Sequence, residues 1–106
     1  MKSADLFMEL VATYRKYGWE LRSVLLQPAT RAVLQELLEQ VPVKEASVDA
    51  LWFSRPSHNN REAWELRLLS QTQYALFEAF EPNETEEERE DVKLEMEARM
   101  RDYVSK

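Results

Sequence analysis

The stretch "VDALWFSRPSHNNREAWELRLL", residues 48–69, decides the fold, because two runs rich in tryptophan and leucine flank a polar centre that holds the chain's single histidine. Strict alternation of apolar and polar residues is the mark of a half-buried strand, and a polar, asparagine-rich centre is the mark of a turn. Folding the stretch on itself so that paired residue numbers sum to about 116 sets Val48, Ala50 and Trp52 opposite Leu68, Leu66 and Trp64, and sets Asp49 opposite Arg67. Apolar meets apolar and charge meets opposite charge, which is the pairing that stabilises an antiparallel ladder. The stretch therefore reads as a β-hairpin. Asn59 and Asn60 at its tip tolerate a left-handed backbone where no glycine is available.

Working outward, "QYALFEAFE" (residues 73–81) is a further strand after a short "SQT" turn. One register places Tyr74, Leu76 and Phe80 on the Trp64 face, and a turn one residue different places Ala75, Phe77 and Ala79 there. Pro82 ends the sheet. Asn83 or Thr85 caps a last helix whose early acids suit the positive end of the helix dipole, and Val92, Met96, Met100 and Tyr103 form its narrow apolar stripe.

Towards the N-terminus, Leu6, Phe7, Leu10, Val11, Tyr14 and Tyr17 recur at helical spacing after a cap at Ser3 or Asp5. Gly18, the only glycine, closes that helix. "WELRSVLLQ" (19–27) is a first strand with Trp19, Leu21 and Leu25 on one face and Val24 and Leu26 on the other. Pro28 opens a second helix carrying Val33, Leu34, Leu37, Leu38 and Val41, which Pro42 stops, so a strand–helix–strand crossover follows. The order is α-β-α-β-β-β-α: an α+β fold with a largely antiparallel four-stranded sheet and three helices, in one domain of 106 residues. At 44% hydrophobic and 32% charged, the chain has the composition of a folded domain with a single core.

Composition also narrows the function. With 14 Lys+Arg against 20 Asp+Glu, the net charge of −6 argues against nucleic acid or anionic lipid as partner. The acids crowd into residues 83–91, which leaves the rest of the chain close to neutral. Absence of cysteine removes disulfides, thiolate chemistry and cysteine-based zinc sites, and one histidine leaves only carboxylates as metal ligands, so no cofactor is expected. One glycine leaves no phosphate-binding loop. The N-terminal segment carries Asp5 and Glu9 among its apolar residues and reads as neither signal peptide nor membrane span, so a cytoplasmic location is expected.

His58 lacks a glycine-flanked serine elbow and an orienting acid, so the loop reads as a turn rather than a catalytic site. Asp49 with Glu65-Leu66-Arg67 resembles the Asp…Glu-x-Lys arrangement of metal-dependent nucleases, which would imply a carboxylate-held divalent cation. Arginine stands where those enzymes use lysine, and a cross-strand ion pair explains the same residues. The favoured reading is a non-catalytic protein-interaction module presenting a sheet face or edge to a partner or to a second copy. If all three helices cover one face, the other exposes Leu51, Phe53, Leu69 and Phe77, with Arg55 and Arg67 as polar rim. If a helix lies on each face, that patch is covered. A further reading is a chaperone-like dimer that binds an unfolded client, similar in size, charge and α+β content to secretion chaperones but with a different order of elements.

Overall fold

The computed structural model describes residues 2–106. Its elements are α1 (Ser3–Lys16), β1 (Glu20–Leu26), α2 (Pro28–Leu34, tightening into a 3₁₀ turn over Gln35–Leu38), β2 (Val43–Glu45), β3 (Ala50–Pro56), β4 (Glu62–Leu68), β5 (Ala75–Phe80) and α3 (Glu86–Val104). The fold is α+β with three helices, and the sheet has five strands in the order β2-β1-β3-β4-β5. The extra strand is β2. It pairs parallel to β1 through Val24 with Val43, Leu25 with Lys44 and Leu26 with Glu45, so the crossover through α2 ends on this three-residue strand and not on the hairpin. Every other pairing is antiparallel.

The hairpin forms, but its register is two residues from the one the charge pattern suggests. Ala50 lies opposite Leu68, Leu51 opposite Arg67, Trp52 opposite Leu66 and Phe53 opposite Glu65. A slip of two keeps every side chain on its face, which is why Trp52 and Trp64 still meet, edge to face with centroids 6.0 Å apart. The expected Asp49–Arg67 pair is replaced. Asp49 accepts hydrogen bonds from the Gln27 amide (2.8 Å), Gln27 Nε2 (3.1 Å) and Thr30 Oγ1 (2.7 Å), and so pins the start of α2. Joining β3 to β4, the tip closes with Asn59 and Asn60 both at positive φ (59° and 62°).

The ends of two helices show how local chemistry sets their length. Gly18 sits at φ +88°, and the amides of Gly18 and Trp19 bond back to the carbonyls of Arg15 and Tyr14, a Schellman closure that sends the chain into β1. The expected cap at Ser3 or Asp5 is absent: α1 begins after Lys2 with no side-chain cap. At α3 the expected cap is Thr85, whose Oγ1 accepts from the Glu88 amide (3.1 Å) while the Thr85 amide donates to Glu88 Oε1 (3.0 Å). These bonds hold the Glu88 carboxyl below its ordinary value. No helix among the described residues is long and apolar enough to cross a membrane.

Helices lie on both faces of the sheet. One core joins Leu25, Ala50, Trp52, Leu66, Leu76 and Phe80 to Met96 and Met100 of α3; the other joins Val24, Leu26, Leu51 and Phe53 to Phe7 and Leu10 of α1 and Leu34 and Leu38 of α2. Leu51 and Phe53 are therefore core residues, 0% and 1% exposed, and are not available to a partner. Leu69 is half-buried against the same core. The first register expected for the last strand is the one formed, with Leu76 opposite Leu66 and Phe80 opposite Glu62.

β1 departs from simple alternation. Its register against β3 slips between Leu21 and Ser23, a β-bulge at Arg22, so Leu21 lies opposite Phe53 while Ser23 lies opposite Trp52. The bulge reverses parity: Trp19 and Leu21 join Val24 and Leu26 on the α1 side, and Leu25 alone of the expected trio faces α3.

Two phenylalanines on the α1 side then make opposite predictions. Phe53→Ala is expected to lower unfolding free energy by ~3–5 kcal/mol, whereas Phe77→Ala, at a site 58% exposed, is expected to change it by less than ~1 kcal/mol. Urea titration followed by tryptophan fluorescence measures both; similar losses would contradict the burial described.

Candidate functional site

The sheet's cross-strand rows show where its α1-side face is covered and where it is open. One row runs Leu21, Phe53, Glu65, Phe77; the next runs Val24, Leu51, Arg67, Ala75. A third carries Arg55, Ala63 and Ala79. The residues from β1 and β3 in the first two rows lie within the core under α1 and α2. Of those from β4 and β5, Glu65 and Arg67 lie at the edge of α1, and among the described residues no helix packs over Ala63, Ala75, Phe77 or Ala79. There Phe77 and Ala75 are exposed and Glu65, Arg67 and Ala79 half-buried. The opposite face of the same two strands carries α3.

The border of the open area is built by α1 and by the bulge. Tyr14 stacks on Phe53 at 4.0 Å with ring planes 13° apart, and its hydroxyl donates to Glu65 Oε2. Burial, the Glu65 bond and the Glu65 charge, in that order, raise the Tyr14 phenol far above its ordinary value, against a smaller opposing effect of Arg67. Arg67 itself donates to the carbonyls of Leu68 (3.1 Å) and Ser70 (3.3 Å), which folds the guanidinium back over the β4–β5 turn. At the other end Trp19, set on this side by the Arg22 bulge, meets Phe77 edge to face at 6.4 Å and 86°. Arg55 lies over the Trp19 ring at 5.5 Å and donates to the Tyr17 carbonyl (2.7 Å) at the C-terminal end of α1.

Three clefts follow this border. The largest, about 460 Å³, is lined by Trp19, Arg55, Pro56, Ser57, His58, Ala63 and Phe77. A smaller one of about 190 Å³ lies between Tyr14, Tyr17, Trp19 and Glu65, and a third of about 260 Å³ borders Tyr14, Arg67 and Gln73. Compared with known proteins, the chain matches no family model, and no curated protein or solved structure matches it. Its site must be read from its own geometry.

A second open area, the α3-side cleft bordered by Lys44, Trp52 and Trp64, is different in kind. Glu97, buried, accepts from Lys44 Nζ (2.8 Å) and from Trp52 Nε1 (3.0 Å), and Lys93 Nζ sits 3.8 Å from the Trp64 ring centroid. These groups satisfy one another around a cleft of about 310 Å³ that Glu90 also lines. Nothing equivalent covers Phe77.

Of the six residues expected to meet a partner, the structure thus brings Arg55 and Phe77 together at the open area and leaves Arg67 half-buried at its far end, while Leu51, Phe53 and Leu69 belong to the core side. Asp49 and Glu65 do not converge. The Leu69 amide donates to the Asp49 carbonyl, so Asp49 stands beside Leu69, about four residues or ~13 Å along β4 from Glu65. Among the described residues no group of three or more candidate ligands could hold a metal ion. Trp19 and Tyr14 are the site residues that alternation alone does not reveal.

The Tyr14–Glu65 bond has a testable linkage. A phenol whose folded-state pKa is raised contributes stability in full below its unfolded value of 10.0, and that contribution is lost as pH climbs above it. The wild-type chain is therefore expected to lose stability more steeply between pH 10 and 11.5 than Tyr14→Phe. Equal slopes in denaturant titrations across that range would show that the bond does not hold the proton.

Proposed function

We propose that this protein is a non-catalytic interaction module and that the uncovered α1-side face of β4 and β5 is where an amphipathic helix of a protein partner docks. The observation that carries the reading is Phe77, 58% exposed in the middle of that face. A monomeric domain gains nothing from an aromatic ring held in water, and burying it would contribute ~1–2 kcal/mol to a complex.

The dimensions favour a helix. Two strands at ~4.8 Å spacing leave a trough ~10 Å wide, which is the diameter of a helix with its side chains. Ala63, Ala75 and Ala79 keep the trough shallow around Phe77, and α1 and α2 already form a helical layer that stops at its border. On the reverse side α3 covers the same strands in this manner, through Leu76, Phe80, Met96 and Met100. A docked helix would complete the second layer, reading its i, i+3, i+4 and i+7 side chains against Phe77 and the clefts beside it.

Panning a display library of helical 20-residue peptides on the full chain tests this. Enriched peptides are expected to be amphipathic, to shift backbone resonances of β4 and β5 rather than those of α2, and to bind at least tenfold more weakly to Phe77→Asp and Ala75→Lys. Light scattering on the unliganded chain gives the competing outcome: a dimer that dissociates on Phe77→Asp would make a second copy the occupant. Peptides that map to Val33 and Leu37 of α2, both exposed, would overturn the assignment of the site.

A further inference from the structure

We infer that the Trp19–Arg55–Phe77 cleft reads a carboxylate: the helix that docks on the open face carries an acidic side chain beside its anchoring apolar one, and Arg55 receives it. The inference rests on the docking face proposed above and adds the chemistry of its occupant.

Charge is the first support. In a chain of net charge −6, this cleft is lined by Arg55 and His58 and by no acid. Four other clefts on the surface each include at least one acid: Glu90 and Glu97 beside Lys44 and Trp52, Glu9 beside Tyr14 and Arg67, Glu65 beside Trp19, and Glu62 beside Arg61 and Arg89. Arg55, like Arg15, Arg31, Arg67, Arg99 and Arg101, has no carboxylate within salt-bridge distance among the described residues, and of these it is the one that lines a cleft without an acid. An exposed guanidinium in a cleft with no counter-charge is the complement of an anion.

Orientation is the second. One N–H of Arg55 is fixed on the Tyr17 carbonyl and its plane is held over Trp19. Closing the end of α1 accounts for one of the five donors of the fork and leaves the rest to a ligand, already ordered. His58, on the hairpin tip, adds an N–H in either protonation state. The apolar half of the recognition is the angle between Trp19 and Phe77, floored by Ala63 and edged by Pro56. A side chain seated there places a neighbouring carboxylate at Arg55, whereas a neighbouring ammonium would meet like charge.

The smallest probes that separate these cases are 3-phenylpropionate and 3-phenylpropylamine, equal in apolar group and opposite in charge, titrated into the ¹⁵N-labelled full chain. The carboxylate is expected to shift the Trp19 indole N–H, identified by its loss in Trp19→Phe, and to bind at least fivefold more tightly than the amine, with the Trp52 and Trp64 indoles unmoved. Arg55→Gln is expected to abolish the preference and Arg55→Lys to keep part of it, with thermal unfolding reporting that each variant folds. Equal binding of the two probes, or a preference that survives Arg55→Gln, would overturn the carboxylate reading and leave an apolar docking face intact. Failure of both probes to move Trp19 would remove the cleft as a ligand site, while the peptide experiment reports separately on the face.

Discussion

The central strand sets the demand that the rest of the structure must meet. Ala50, Leu51, Trp52 and Phe53 are consecutive residues of β3 and all are buried, so water must be excluded from both faces of the sheet at once. A sheet of five strands is ~24 Å across, and a helix covers ~10 Å of it, so two full layers need about five helices. The chain has three. Covering β3 on both sides is affordable only if other strands go uncovered. The three helices leave two areas less fully covered, the α3-side cleft bordered by Lys44, Trp52 and Trp64 on one face and the surface of β4 and β5 on the other.

The two areas are finished differently, and that difference separates packing from function. On the α3 side a buried Glu97 is met by Lys44 and Trp52, and Lys93 covers Trp64. A polar network of this kind is costly unless its members are satisfied, and here they are. On the α1 side the same deficit is met with Phe77 in solvent and with Arg55 lacking a counter-charge. Negative charge is plentiful elsewhere in the chain, so a solvating acid at this cleft would have been easy to place.

Much of this was legible in the residues. The hairpin, its asparagine tip, the role of Gly18, the cap at Thr85 and the stripe of α3 each follow from local chemistry that the structure preserves. What alternation could not supply was longitudinal register: shifting the hairpin by two residues changes every partner and no face, and Asp49 turned out to serve α2 instead of Arg67. β2 escaped because three residues carry no period; α2 passes into a 3₁₀ turn after Leu34, with Leu34 and Leu38 in the core and Val33 and Leu37 in water. Leu51 and Phe53 were assigned to a partner because strand periodicity tells which residues share a face and not which helix will cover it.

The bulge at Arg22 is the one missed feature that the sequence did carry, and it is the feature that makes the site. In "WELRSVLLQ" the apolar positions 19 and 21 are odd, while 24 and 26, which share their face, are even; the polar pair Arg22-Ser23 marks the change of phase. Read without the slip, Trp19 falls on the α3 side, far from Phe77 and from the Arg55 guanidinium. With the slip, one inserted residue brings the indole of Trp19, just before β1, across to the border of the open face, where it lies against Arg55 on one side and Phe77 on the other. The irregularity that costs β1 a ladder bond is thus the means by which an otherwise regular sheet acquires an asymmetric, aromatic and cationic corner.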